Sequence, residues 1–149
     1  MKAVVQRVSC AKVTVGGKTV GQCGPGFVLL VAAGRDDTET NAMKMADRIW
    51  GMRVFPDAEG KMNLNLRDWE KSQDATNVLA VSNFTVYGDA SQRRPSFGAA
   101  AGYEEGERLF ELFVAELRAL GARVETGVFG ADMQVELSND GPVTLVVEV

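Results

Sequence analysis

Apolar positions along the chain change rhythm several times, and glycine or proline marks most of the changes. Met1 to Cys10 is rich in valine and has no breaker, which predicts a first strand. AKVTV and KTVGQC flank Gly16-Gly17, the signature of a two-residue hairpin. Gly24-Pro25-Gly26 turns the chain into FVLLVAA, a run that predicts a strand buried on both faces. Ala42, Met45, Ala46, Ile49 and Trp50 then repeat at helical spacing up to Gly51. Asp36 with Glu39 has the form of a capping box for that helix, and Thr38 is an alternative cap.

A short strand is expected at Met52 to Phe55, a turn at Pro56 to Gly60, and alternation at Met62, Leu64 and Leu66. Arg67 to Thr76 is polar and charged and reads as an exposed loop, whereas Asn77 to Tyr87 reads as one long strand. Asp89 to Gly102 is irregular, and a second helix is predicted from Tyr103 to Leu120 with Gly121 as its stop. Three further strands follow, the middle one alternating Met133, Val135 and Leu137; Asn139-Asp140-Gly141-Pro142 separates it from the last, Val143 to Val149. No repeat or linker interrupts residues 1–149, so the expectation is one mixed α/β domain whose helices cover one face of stacked sheets.

Composition narrows the chemistry. The chain has no histidine, which excludes Ser-His-Asp and Cys-His nucleophilic systems, histidine-ligated metals and a histidine general base. Its two cysteines, Cys10 and Cys23, match no zinc spacing and read as inert packing thiols. The net charge of -4 leans against a protein that coats nucleic acid by bulk charge, so any positive potential for RNA must be local. The longest near-continuous apolar run, Phe27 to Ala33, is far short of a bilayer span. Only two valines lie between Lys2 and Arg7, too few for a signal-peptide core, so the expected compartment is the cytoplasm.

Three segments exceed what a purely structural reading uses. In Ser82-Asn83-Phe84-Thr85-Val86, strand alternation puts Ser82, Phe84 and Val86 on one face and Asn83, Thr85 and Tyr87 on the other; the plain alternative is a sheet with one wet face. In Ser91 to Phe97, Arg93 and Arg94 adjoin Pro95 and Phe97, a set suited to a phosphate or base contact as well as to a solvated loop. Asn139 to Thr144 is turn chemistry in its simplest reading, but Gly141 and Pro142 also suit the presentation of bare carbonyls to a ligand.

MKAVVQRV, SNFTVYGD, RRPSF, TGVFGADMQV and NDGPVT, in order along the whole chain, resemble the D-aminoacyl-tRNA deacylases. The resemblance implies a three-layer β/β/α arrangement, two stacked mixed sheets with two helices on one face. It implies a cytoplasmic homodimer that hydrolyses the ester between a D-amino acid and the tRNA 3′ end, and that also acts on mischarged glycyl-tRNA. It implies a cis Gly141-Pro142 bond entering the partner subunit's pocket, Arg7 supporting that loop through its backbone oxygens, and Phe129 and Met133 lining the pocket. The family's strand motif is usually SQFTL, so Asn83 shortens an amide by one methylene where glutamine is common, and Val86 replaces leucine.

An aminoacyl ester is already activated, so a site need only hold it beside a water and stabilise the oxyanion with placed donors. Ser82, Phe84 and Thr85 form the expected catalytic group, with backbone N–H donors around Phe84 and Thr85 if the strand is locally irregular. Asn83 is expected on the substrate, and Arg93, Arg94, Pro95 and Phe97 on the tRNA. Attack assisted by the 2′-hydroxyl of the terminal adenosine is preferred to Thr85 as a covalent nucleophile, which lacks a base in its motif. No metal or organic cofactor is called for. Carbonyls of Gly141 and Pro142 gripping the substrate's amino group would drive an L side chain into backbone and leave D substrates and glycine free. Two rival readings are a catalytically silent tRNA 3′-end binder on the same scaffold and a small-molecule-binding or structural homo-oligomer.

Overall fold

The computed structural model describes residues 1–70 and 77–149. In chain order it forms β1 (Lys2–Val15), β2 (Lys18–Cys23), β3 (Gly26–Ala32), α1 (Glu39–Trp50), β4 (Phe55–Pro56), β5 (Met62–Leu64), α2 (Leu66–Glu70), β6 (Val78–Ser82), a 3₁₀ turn (Phe84–Tyr87), α3 (Tyr103–Leu120), β7 (Val124–Thr126) and β8 (Gln134–Glu148). Six strands form one mixed sheet in the order β2-β1-β3-β6-β7, with β8 also paired to β1; β4 and β5 form a separate hairpin. The pairs of β1 with β2, β3 and β8 are antiparallel, and β3-β6 and β6-β7 are parallel.

The strands β3 and β6 are buried on both faces, as the apolar run predicts. Phe27, Leu29, Val31, Val78 and Ala80 pack with Met45, Ile49, Leu109, Phe113 and Leu117 of the two long helices. The alternate positions Val28, Leu79 and Val81 pack with Val8, Ala11, Val13 and Cys23, bordered by Met133, Val135 and Leu137. Helices therefore cover one face, while β1, β2 and the start of β8 supply the apolar side chains that cover the other. The two stacked sheets of the expectation are one hydrogen-bonded sheet, continuous through β1. Phe113 and Leu117 are fully buried, and truncating either to alanine costs about 2–5 kcal/mol.

A bulge in β1 makes this double use possible. Ala3 and Val5 face the helical side, whereas Val8, Ala11 and Val13 all face the other. The register slips between Val8 and Cys10, and one extra residue reverses which parity points inward.

Local departures from expectation have local causes. Thr38 caps α1, with the Asn41 side-chain oxygen accepting from its N–H at 2.9 Å and its hydroxyl at 2.8 Å; the expected Asp36–Glu39 box does not form. Gly51 ends α1 in a right-handed conformation, and Gly121 ends α3 in the left-handed one that favours glycine. The short strand expected at Met52 to Phe55 begins at Phe55 and takes in Pro56. The expected Arg67–Thr76 loop begins as the end of α2, because the Asn65 side chain accepts from Asp68 N–H at 3.0 Å and starts a helical turn; positions 71–76 lie outside the described residues. Cys23 is buried and its thiol is pushed up to about 12, chiefly by burial, but Cys10 is exposed and is no packing thiol.

Candidate active site

Two interruptions of the sheet carry the candidate residues. The expected long strand Asn77–Tyr87 stops at Ser82, and Phe84 to Tyr87 form the 3₁₀ turn instead. Asn83 causes the break by offering its side chain in place of a ladder partner. Its Oδ1 accepts from Thr85 N–H at 3.2 Å and from the Thr85 hydroxyl at 2.6 Å, while its own N–H donates to Val31 O at 2.8 Å. The face assignment by alternation therefore fails beyond Ser82.

Instead, Ser82, Asn83 and Phe84 all line one cleft of about 770 Å³, together with Phe129 and Met133. Its walls come from β3, β6, the start of α3 and the approach to β8, including Leu30, Tyr103 and Phe110. Tyr103 meets Phe129 edge to face with ring centroids 5.1 Å apart. Among the described residues lining the cleft there is no carboxylate, amine, guanidinium or thiol. Thr85 is exposed beside it, its hydroxyl proton directed to an amide oxygen and not to a base. Thr85 N–H is likewise engaged, which leaves Phe84 N–H, at the first position of the turn, without an intrahelical acceptor.

The second interruption lies in β8. Gln6 pairs with Thr144 and Val8 with Asn139, so 140–143 bulge out opposite the single residue Arg7. The expected turn between two strands is thus a bulge within one. Asn139 closes its base by donating from Nδ2 to Arg7 O at 2.9 Å and Val143 O at 3.0 Å, and its Oδ1 accepts from the Thr144 hydroxyl at 3.1 Å. The Gly141-Pro142 bond is cis, and both residues are exposed. Gly141 has φ +116°, and a β-carbon there would stand 3.0 Å from an Arg7 nitrogen, so only glycine fits without strain.

Arg7 supports the bulge, though not through the loop's backbone oxygens as expected. Its Nη1 donates to Val54 O at 2.5 Å, and its Nε lies 2.9 Å from the Asp140 carboxylate. That second contact is an ion pair whose N–H is poorly aligned for a hydrogen bond. The Arg7 side chain is only 12% exposed against 53% for Asp140.

Within one chain the structure thus gathers Ser82, Asn83, Phe84, Phe129 and Met133 at the cleft, while Arg7, Gly141 and Pro142 form a separate group that does not line it. Arg93, Arg94 and Pro95 are exposed on a loop closed by reciprocal Asp89–Ser96 backbone bonds of 2.8 and 3.0 Å. Phe97 ties that loop to the cleft, edge to face with Phe84 at 5.3 Å. The roles of Asn139, Asp140 and Tyr103 escaped sequence reasoning. The first two stood in the Asn-Asp-Gly-Pro run and passed for turn formers, and Tyr103 stood at a helix start with no pattern of its own.

The class is a mixed α/β domain whose cleft has aromatic walls and the Phe84 amide at its border, with no carboxylate, amine, guanidinium or thiol among its described lining residues. Similarity to known proteins sharpens this. Residues 4–148 match the model of the D-Tyr-tRNA(Tyr) deacylase family, and the chain belongs to that family. It is 52% identical to a D-aminoacyl-tRNA deacylase of Symbiobacterium thermophilum, covering 99% of this chain and 95% of the relative. It is 50% identical to that of Brevibacillus brevis, covering 99% of each. A solved structure described as c-Myc DNA Unwinding Element Binding Protein superposes with a TM-score of 0.92 at 36% identity, covering 100% of this chain and 99% of that one. A probable eukaryotic D-amino acid tRNA deacylase shares the fold, with a TM-score of 0.82 at 16% identity over 99% of this chain and 98% of that one.

Proposed function

We propose that this chain, like its relatives named D-aminoacyl-tRNA deacylase, hydrolyses the ester joining a D-amino acid to the 3′ end of tRNA, and accepts glycyl-tRNA as well. The observation that carries the reading is a cleft with no carboxylate, amine, guanidinium or thiol among its described lining residues, bordered by the start of a 3₁₀ turn. Such a site suits an ester that brings its own assistance. The 2′-hydroxyl beside the ester helps a water attack the carbonyl, and Phe84 N–H stabilises the oxyanion as charge develops. Thr85 positions that turn through Asn83 and forms no covalent intermediate. Ser82 and Asn83 border the reacting ester, and Phe129 and Met133 hold the terminal nucleoside.

Discrimination belongs to the bulge. Carbonyls of Gly141 and Pro142 accept from the substrate's α-ammonium group, so an L side chain meets backbone while D substrates and glycine do not. Because the bulge does not line the cleft of its own chain, it serves the cleft of a second copy in a homodimer. The long edge of β8, unpaired on its outer side among the described residues and bearing exposed Leu145 and Val146, supports this assembly. The Arg93–Phe97 loop, tethered to Phe84 and flanked by Arg35 beside Gly98, contacts tRNA phosphates near the acceptor end. No helix among the described residues is long and apolar enough to cross a membrane, and the substrate places the protein in the cytoplasm.

The test is hydrolysis of matched D- and L-tyrosyl-tRNA by the purified protein. The D ester should be cleaved, the L ester spared, and glycyl-tRNA cleaved at a comparable or lower rate. Equal rates on the D and L esters would sink the discrimination by the bulge. Binding without turnover of any ester would leave a silent tRNA-end binder.

A further inference from the structure

The 3₁₀ turn that borders the cleft has no buried residue: Phe84 and Thr85 are exposed, and Val86 and Tyr87 are half-buried. Beyond the edge-to-face contact of Phe84 with Phe97, apolar packing does little to fix it, and polar anchors hold its two ends. The first anchor is the Asn83 side chain on Thr85. The second lies on the far side from the cleft. Tyr87, the last residue of the turn, donates its phenolic hydrogen to Asp37 Oδ2 at 2.9 Å. Burial and then the Asp37 carboxylate raise the Tyr87 phenol above its ordinary range, so it stays a donor at any working pH.

Asp37 is itself held from several directions. Oδ2 also accepts from Gly34 N–H at 2.6 Å, and Oδ1 receives the Met1 ammonium group at 2.6 Å. The same ammonium donates to Val149 O at 2.9 Å. The Asp37 side chain is 9% exposed, and Gly34 leaves room for the Tyr87 ring that a β-carbon there would occupy. Lys2 Nζ lies 4.9 Å from the centre of that ring. This cluster contains no group that reaches the cleft, so catalysis as described above leaves it without a role.

We propose that Asp37 and Tyr87 are positioning residues for the deacylation, clamping the C-terminal end of the 3₁₀ turn so that Phe84 N–H is held where the oxyanion forms. The inference rests on the reading that this turn carries the oxyanion donor. It follows from the pairing of a turn that has no buried residue with a nearly buried carboxylate that is anchored on a glycine amide and an ammonium group. An oxyanion donor works only when placed before the charge develops. A turn free to rock at one end loses rate and not binding, because the substrate's nucleoside and amino group are held elsewhere.

The experiment compares the full chain with Tyr87→Phe, which removes one oxygen and leaves the other partners of Asp37 in place. Steady-state kinetics on D-tyrosyl-tRNA are read beside amide hydrogen exchange. Val86 and Gly88 amides donate to Asn83 O and Thr85 O within the turn, and they report the clamp whether or not the chemistry is measurable. The expected result is a kcat lower by about tenfold at unchanged KM, faster exchange at Val86 and Gly88, and unchanged exchange in β3. Asp37→Asn should lower kcat in the native background and add little in the Tyr87→Phe background. Unchanged exchange with unchanged kcat overturns the clamp and leaves the reading of the site intact. Faster exchange with unchanged kcat overturns both, since the turn then carries no chemistry. A fall in kcat with equally faster exchange in β3 is general loosening, and it overturns the positioning role.

Discussion

The 3₁₀ turn at Phe84–Tyr87 and the bulge at 140–143 are the same device used for opposite ends. Each interrupts a strand, and in each an asparagine side chain replaces the lost ladder bonds, Asn83 at the turn and Asn139 at the bulge. The turn begins with the Phe84 N–H and borders a cleft without charge. The bulge is opposite Arg7 and is held by its pairing with Asp140. One interruption offers the Phe84 N–H at the border of an uncharged cleft, which suits a developing oxyanion. The other leaves carbonyl-bearing backbone outside the β1 register, which suits a cation. An aminoacyl ester has both: a carbonyl that becomes negative and an amino group that is positive. On the proposed reading, reaction and discrimination sit on different elements and can be broken separately.

The largest effect should come from the substrate's side of the donor region. If the cleft contains no base, a tRNA ending in 2′-deoxyadenosine should be deacylated more slowly by about 10²–10⁴-fold, the range ordinarily lost with a general acid or base. Thr85→Ala should retain deacylation within about tenfold, since its loss removes one anchor of the turn and no nucleophile. Single-turnover measurement on both substrates decides the matter. A trapped acyl group on Thr85 would reverse the assignment.

Next in size is the test of which cleft the bulge serves. Gly141→Val forces a β-carbon against Arg7 at a backbone angle that L residues rarely adopt, and Phe84→Pro removes the N–H proposed as the oxyanion donor. Each should lower activity by about 10²-fold. Mixed and allowed to exchange, the two variants should recover about a quarter of the native rate. The estimate follows because half of the dimers are mixed and each of those has one of its two sites intact. Verified exchange with no recovery would show that the bulge does not act across an interface.

How far the sequence made these two regions legible depends on where their determinants lie. The hairpin at Gly16-Gly17 and the two long helices were readable because local pattern decides them: glycines supply positive φ, and Leu109, Phe113 and Leu117 repeat along one helical face. The end of β6 was not readable. Val86 and Tyr87 continue a good strand pattern, and only the side chain of Asn83, bonding two residues ahead, overrules it. Likewise Asn-Asp-Gly-Pro reads as a turn because nothing local shows that β1 runs straight past it. The bulge is set by its pairing with β1 and braced by Arg7, more than a hundred residues away in the chain. The residues expected at the site were largely supplied by motif resemblance. Their grouping into a cleft and a separate bulge needed coordinates, as did the finding that Arg7 grips Asp140 and Val54 instead of loop carbonyls.

Arg7→Ala should act on the bulge with little effect on the turn. It removes the partner of Asp140 and leaves the Val54 carbonyl without its donor. Because Asp140 is more than half exposed, water compensates much of the loss, and the stability cost should be about 1–2 kcal/mol. The melting temperature should therefore fall by a few degrees, on the order of 2–4 °C per kcal/mol for a chain near this size. Activity on the D ester should fall about tenfold, and the ratio of D to L rates should fall with it. A variant with normal stereoselectivity would show that the bulge keeps its shape without the arginine.

The smallest effect separates the two regions by their cations. Arg93 and Arg94 are exposed on the loop that Phe97 ties to Phe84, on the cleft side of the molecule. Arg7 is 12% exposed and already paired with a carboxylate of its own chain. Only a cation that neutralises a phosphate releases counterions, and each such contact adds about 0.7–0.9 to the slope of log affinity against log salt. With a net charge of -4, the total slope for tRNA should be shallow, set by a few local contacts. Arg93→Ala and Arg94→Ala should each lower it by about one contact's worth while leaving kcat in place. Arg7→Ala should leave the slope unchanged even though it lowers activity. Equilibrium binding of deacylated tRNA between low and moderate salt measures all of these slopes. A change in slope on losing Arg7, or none on losing Arg93 and Arg94, would place the RNA on the bulge side and undo the division of labour between the two interruptions.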